Sequence, residues 1–266
     1  MGTVIGAQLY TLRDYCKTPE DLEKTLERVA KIGYKAVQLS GVCDCDPVWL
    51  KGVLDRLGLV APLTHTAPKT LLEKTDAAIA AHKALNTPFV GIGAAPGIFQ
   101  RSAEVKRPLD EIWGEFLASF KPFIERCKAE GLKFGYHHHD REFARLADGR
   151  LFIDALCEEF SPEECCIIVD TYWVQAGGAD PAAWLRKLNG RIPCIHFKDM
   201  SYSTEDQKVR MAPIGEGNIN WESVFAAVKE CNIQYAFVEQ DNAYGEDPFD
   251  CMARSLAFIR ANGFAD

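Results

Sequence analysis

The 266-residue sequence has no apolar run long enough to cross a membrane. Its longest, such as Cys165–Val169, fall far short of the roughly 20 residues that span a bilayer. It also lacks any block of Lys or Arg, and 30 basic against 38 acidic residues leave a formal charge of −8. Phosphate-backbone binding requires a concentrated positive footprint, so neither nucleic acid nor a membrane is expected as a partner. The N-terminal stretch Met1-Gly-Thr-Val-Ile-Gly-Ala-Gln8 shows no basic n-region and no apolar h-region. That excludes a visible secretion signal and predicts a cytoplasmic protein. Its 10 cysteines follow no zinc spacing, and Cys43-x-Cys45 is read as a pair of ordinary, reduced loop thiols. Linkers and low-complexity stretches are missing as well. With 47% hydrophobic and 26% charged residues, disorder, collagen-like repeats and a disulfide scaffold are ruled out. A single domain over residues 1–266 is expected.

What is present is a regular alternation. Short apolar or β-branched runs read as strands at Val4–Leu9, Ala36–Leu39, Leu59–Thr64, Phe89–Ile92, Lys133–Tyr136, Cys166–Val169, Cys194–Phe197 and Ala236–Val238. A helical pattern follows each one. The first opens at Thr18-Pro19-Glu20-Asp21 and ends at Gly33, and the others lie near 47–57, 69–85, 110–130, 150–160, 181–189, 221–231 and 247–262. Thr18 suits an N-cap, Pro19 the first helical position, and Gly33 a left-handed stop. Strands alternating with helices imply a parallel sheet with right-handed crossovers. Eight such units in 266 residues predict an α/β fold, the (β/α)8 TIM barrel. An open doubly wound sheet is the alternative. After its first strand, however, Gln8-Leu-Tyr-Thr-Leu-Arg13 stands where a Gly-rich phosphate turn belongs.

Barrel chemistry sits at the C-terminal ends of the strands. Strand one ends at Gln8 and Tyr10, strand two at Gln38 and Ser40, and strand three at His65. Strand five ends in Tyr136-His137-His138-His139-Asp140 with Glu142 close behind, and strand six in Asp170-Thr-Tyr-Trp173. Strand seven carries His196-Phe-Lys198-Asp199, and strand eight Glu239-Gln-Asp241. Taken singly, an Asp after a strand is a turn former and a strand-end His an ordinary polar residue. Taken together, His137, Asp170, His196 and Glu239 on strands five to eight predict one divalent-metal site. Mixed imidazole and carboxylate ligands suit Mn, Zn, Co or Fe(II) better than Ca or Mg. Alternation along strand five puts His137 and His139 on one face and sends His138 behind the wall.

These strings also carry a resemblance. Gly135-Tyr-His-His-His-Asp-Arg-Glu-Phe143, Val169-Asp-Thr-Tyr-Trp173 and Gly190-Arg-Ile-Pro-Cys-Ile-His-Phe-Lys-Asp199 are similar to those of the sugar phosphate isomerase/epimerase family of xylose-isomerase-like barrels. Gly6-Ala-Gln-Leu-Tyr-Thr-Leu-Arg13, Gly215-Glu-Gly-Asn-Ile-Asn-Trp221 and Val238-Glu-Gln-Asp241 extend the likeness over essentially the whole chain. It implies one divalent cation, commonly Mn, held by a Glu-Asp-His-Glu quartet. Asp170, His196 and Glu239 match its last three members, and His137 stands in place of the first. The family's ketose epimerases pair two glutamates across the sugar, and its other members include lyases, hydratases and deglycosidases of 3-keto sugars.

The chemistry expected is Lewis-acid enolisation of a small keto sugar or polyol through an enediolate. Reprotonation gives epimerisation or isomerisation, the leading expectation. Loss of a β-substituent gives a lyase, hydratase or deglycosidase, the alternative. Glu239 or His139 is the expected base, with Glu142 third, and Lys198 is placed at the developing oxyanion. Substrate contacts are expected from Gln8, Tyr10, His65, Trp173, Arg210 and Glu216. Aromatic rings at Tyr10, Phe99, Tyr136, Trp173 and Tyr244 suit the apolar faces of a sugar. Ala94–Leu109 and Met200–Gly217 are read as loops able to form a lid or rim. A non-phosphorylated sugar is the expected substrate, and the family leaves room for a homo-oligomer or a partner subunit. An assembly-dependent barrel within a two-component deglycosidase is the rival of another kind. An endonuclease is disfavoured by the charge of −8 and by only four strong ligands.

Overall fold

A computed structural model describes residues 2–100 and 106–264. Eight parallel strands close into a barrel: β1 (Val4–Gln8), β2 (Ala36–Ser40), β3 (Val60–His65), β4 (Phe89–Ile92), β5 (Lys133–His137), β6 (Cys165–Asp170), β7 (Cys194–Phe197) and β10 (Tyr235–Val238). They follow one another around the barrel in chain order, and β10 closes on β1 with Ala7 opposite Val238. Two further strands among the described residues, β8 (Asp199–Ser203) and β9 (Lys208–Ala212), form an antiparallel hairpin that follows β7. No helix among the described residues is long and apolar enough to cross a membrane.

The helices begin where local chemistry permits. α1 (Pro19–Ile32), α2 (Pro47–Leu57), α3 (Pro68–Glu73), α8 (Pro181–Lys187) and α10 (Pro248–Ala261) all open on proline. The missing N–H of proline falls where a helix has no use for it. Thr18, Asp46, Asp180 and Asp247 precede four of these prolines, and each side chain accepts a backbone N–H of the first turn. Gly33 ends α1 at φ 118°, as its sequence position predicts. The other helices are α4 (Thr75–Leu85), α5 (Leu109–Ala129), α6 (Phe152–Glu159), α7 (Thr171–Ala176) and α9 (Trp221–Glu230).

Three details depart from the sequence expectation. The helix expected over 69–85 is two, because Lys74 leaves the helical region at φ −129°, ψ 42°. The loop expected at Met200–Gly217 contains the hairpin, whose alternation is too polar to read as a buried strand. α7 follows β6 without a connecting loop, capped by Asp170 itself. Of the lid expected over Ala94–Leu109, residues 101–105 lie outside the described residues.

Two layers of side chains fill the barrel, and their period of two positions the site. The lower layer is apolar: Ala36, Leu63, Phe89, Ile168, Cys194 and Phe237 pack together, buried. Two residues further along these strands the inward positions turn polar, at Gln38, His65, Asp170, His196 and Glu239. Gly6 and Gly135 hold lower positions on β1 and β5, with Gln8 and His137 above them. Gly6 is required there, since a Cβ would lie 2.6 Å from the Phe237 ring that fills the lumen.

Candidate metal centre and active-site cavity

His137, Asp170, His196 and Glu239 come together at the top of the lumen, one from the end of each of β5, β6 and β7 and one just past β10. All four are buried, and one donor atom from each lies within 4.8 Å of every other. Asp170 Oδ2 is 3.5 Å from His137 Nε2 and 3.6 Å from His196 Nδ1. His196 Nδ1 is 2.6 Å from Glu239 Oε2, yet the two atoms are not aligned for a hydrogen bond and neither has another hydrogen-bond partner. Apart from the long 3.5 Å contact of His137 Nε2 with Asp170 Oδ2, the inward donor atoms do not pair off with one another but surround a common point. A divalent cation fits these residues.

The outward atoms of the same side chains are tied to the fold. His137 Nδ1 faces Gly93 O at 3.2 Å, so its Nε2 lone pair is turned inward. Asp170 Oδ1 accepts the Trp173 N–H at 3.0 Å and caps α7. His196 Nε2 donates to Gln38 Oε1 at 2.6 Å. His138 points away from the cavity, with Nε2 accepting the Asp170 N–H at 3.2 Å and Nδ1 donating to its neighbour's carbonyl. Burial lowers its basicity to a pKa of about 4, so this bridge between strands is made by a neutral ring.

Charge in the centre is balanced by Lys198. Its Nζ is 2.9 Å from both oxygens of Asp241, 3.7 Å from Glu239 Oε1 and 3.9 Å from Asp170 Oδ2. Burial works against the ammonium, but these carboxylates outweigh it and raise the Lys198 pKa. Burial also opposes charge on Asp170 and Glu239, yet Lys198 and the neighbouring imidazoles hold both carboxyls ionised, below their ordinary range. Burial likewise disfavours charge on His196, but Glu239 and Asp170 raise its pKa to about 9.

A cavity of about 470 Å³ opens onto this centre, lined by Tyr10, Ser40, His65, Phe99, His137, His139, Lys198, Glu239 and Asp241 among others. Burial, reinforced by neighbouring imidazoles, lowers the pKa of His65 and of His139 well below that of free histidine. His65 Nε2 and His139 Nδ1 have no hydrogen-bond partner among the described residues. The His139 ring lies 4.7 Å from that of His137, 4.8 Å from Trp173 and 4.6 Å from Phe99.

The other residues expected at the site do not line this cavity. Glu142 is fully buried outside the cavity lining, its oxygens accepting Tyr136 O–H at 2.8 Å and His139 N–H at 2.9 Å. Gln8 lies in the polar lumen layer, with Oε1 accepting Tyr10 N–H and its amide nitrogen unpartnered. Trp173 stands behind His139, and its indole N–H is also unpartnered. Arg210, on β9, reaches Asp206 at 3.1 Å and covers the Tyr244 ring at 4.9 Å. Glu216 makes an exposed pair with Arg254 at 2.7 Å. Asp199 is fully buried. It gathers the N–H groups of Met200, Gly215, Gly217 and Ile219 and the Trp221 indole, fixing the 215–221 loop.

Sequence reading gave no role to Gln38 or Asp241. Both carried a signal, since each lies two residues beyond an inward position, Ala36 and Glu239 respectively.

A family model described as xylose isomerase-like TIM barrel matches residues 18–262. An inosose dehydratase of Lacticaseibacillus casei is 23% identical over 268 residues, covering 90% of this chain and 89% of that one. A sugar phosphate isomerase/epimerase from Parabacteroides distasonis ATCC 8503 superposes with a TM-score of 0.79 at 22% identity, covering 100% of this chain and 96% of that one. An L-ribulose 3-epimerase superposes at 0.75 with 18% identity, over 97% and 94% of the two chains. At these identities the structural likeness speaks for the fold. With the family model matched over nearly the full barrel, the chain belongs to the xylose isomerase-like TIM barrels.

Proposed function

We propose that the protein is a divalent-cation-dependent enzyme that enolises a small, non-phosphorylated polyhydroxy ketone and eliminates a β-hydroxyl or β-alkoxyl group from it. The observation that carries this reading is His137. Its Nδ1 is turned to Gly93 O and its Nε2 to the metal centre, so no free carboxylate on β5 faces Glu239 across the cavity. The proton-transfer groups that remain are unlike: a neutral imidazole at His139 and an ammonium at Lys198. Unlike groups suit elimination, in which one group takes a proton from carbon and another gives one to the departing oxygen.

His137, Asp170, His196 and Glu239 would hold the cation. When bound, it supplies Lewis acidity that acidifies the C–H beside a carbonyl, with Mn favoured over Co, Zn, Fe or Mg. His139, whose imidazole burial keeps neutral, receives the C–H proton. The electron pair of that bond forms the new C=C, and the β C–O bond breaks. Lys198 donates the proton with which the oxygen leaves as water or an alcohol. Tyr10 and Phe99 cover the apolar face of the substrate. The inosose dehydratase similarity agrees with elimination from a cyclic polyhydroxy ketone.

Epimerisation or isomerisation through the same enediolate is the second reading. It is favoured by Glu239 and His139 both reaching the cavity, so that a proton can leave by one and return by the other. Metal analysis followed by proton NMR in D2O with keto sugars, keto-cyclitols and 3-keto glycosides separates the two. An unsaturated product with deuterium uptake beside the carbonyl is expected. An epimer as sole product would overturn elimination. Turnover only after addition of a second chain would instead place the protein in a two-component enzyme.

A further inference from the structure

We infer that Gln38 is the positioning residue that presents His196 to the cation, and that it does so as a neutral partner; this rests on the metal-centre reading above. Gln38 is on β2 and His196 on β7, strands separated around the barrel by β1 and β10. Their bond, Nε2–H to Oε1 at 2.6 Å, therefore crosses the lumen, and both side chains are fully buried. An imidazole has two inequivalent nitrogens, and the hydrogen bond made by one decides which of them carries the lone pair. With Nε2 donating to Gln38, the lone pair of the neutral ring is on Nδ1. That is the atom turned toward Asp170 and Glu239.

The amide is costly for the fold alone. Its Nε2 is buried without a partner among the described residues, and a leucine in that layer would leave no such group unsatisfied. What glutamine provides and leucine does not is the acceptor. His137 is held in the same manner by a neutral oxygen, the Gly93 carbonyl at 3.2 Å. Both imidazole ligands thus lack a carboxylate behind them, and the negative charge of the centre is confined to Asp170 and Glu239. A neutral acceptor orients the ring without adding a third anion beside the cation.

The test uses Mn²⁺ binding to the full chain, measured from the electron paramagnetic resonance of free Mn²⁺ in titrations of wild type, Gln38→Leu and Gln38→Glu. Long-range proton–nitrogen NMR of the Zn²⁺-loaded proteins reports the His196 tautomer. Gln38→Leu should bind Mn²⁺ about 10- to 100-fold more weakly, the usual effect of losing an outer-shell partner, and should lose the single Nε2–H signature. Gln38→Glu keeps the acceptor and adds negative charge, so it should bind at least as tightly as wild type and retain that signature. A folded Gln38→Leu protein within about twofold of wild type would overturn the inference and leave the metal centre standing. If Gln38→Leu does not fold, Gln38→Glu decides: a folded variant that binds about tenfold more weakly overturns the inference. Wild type that takes up no divalent cation overturns the metal centre and this inference together.

Discussion

The Lys198 ammonium is equidistant, at 2.9 Å, from the two carboxylate oxygens of Asp241, while remaining within 4 Å of Glu239 and Asp170. One cation therefore serves three carboxylates, two of which belong to the metal centre. Replacing Lys198 with Met removes the proposed proton donor for the leaving oxygen and should lower turnover by about 10²- to 10⁴-fold. It also removes a positive charge beside the bound cation, so the variant should hold Mn²⁺ more tightly than wild type. Steady-state kinetics and cation titration on the same preparation check both. Loss of turnover through weakened cation binding would show that Lys198 acts through the metal centre instead.

Asp170 does two jobs with its two oxygens, Oδ2 in the centre and Oδ1 on the Trp173 N–H. Asp170→Ala should abolish cation uptake and also cost about 1 kcal/mol through the lost helix cap. Asp170→Asn keeps an oxygen for the cap and should lose cation affinity with a smaller fall in stability. Metal content and thermal melting of the two variants separate the roles. Equal melting temperatures would show that the cap contributes nothing.

The barrel was legible because its signals are local. Thr18-Pro19, Gly33 and the apolar strand runs each report on a few adjacent residues, and the structure places the corresponding elements there. The quartet was legible because its members stand at the C-terminal ends of four successive barrel strands, where the structure brings the four side chains together. Partners drawn from distant strands were not legible. Nothing near Gln38 in the chain announces His196, and nothing near Glu216 announces Arg254 on α10. The hairpin of β8 and β9 escaped because most of its residues are polar and only partly buried, and a ribbon outside the core needs no apolar alternation.

Glu216 tests how far a motif can be carried without geometry. Its pair with Arg254 is 40–46% exposed, outside the cavity lining. Glu216→Ala should change kcat/KM by less than about twofold and stability by about 0–1 kcal/mol, the range of exposed ion pairs. A large rise in KM, measured under saturating cation, would show that the 215–221 loop reaches the substrate after all.

Glu142 sets a pH dependence that does not pass through the metal centre. Burial raises its pKa to about 7, against the opposing hydrogen bonds from the His139 N–H and Tyr136 hydroxyl. In the unfolded chain the same carboxyl titrates at about 4.3. The folded protein thus binds a proton more tightly than the unfolded one, and the associated stability is complete below that lower value. It is lost as pH rises toward 7, at a cost on the order of 3 kcal/mol once Glu142 is ionised in both states. Glu142→Gln remains neutral throughout and still offers an oxygen to the His139 N–H. Denaturant melts at pH 5 and pH 8 should therefore show the variant gaining on wild type with rising pH, by up to about 3 kcal/mol. A difference between the two proteins that stays constant over this interval would mean that Glu142 is already ionised at pH 5, its buried site fully compensated by the two hydrogen bonds.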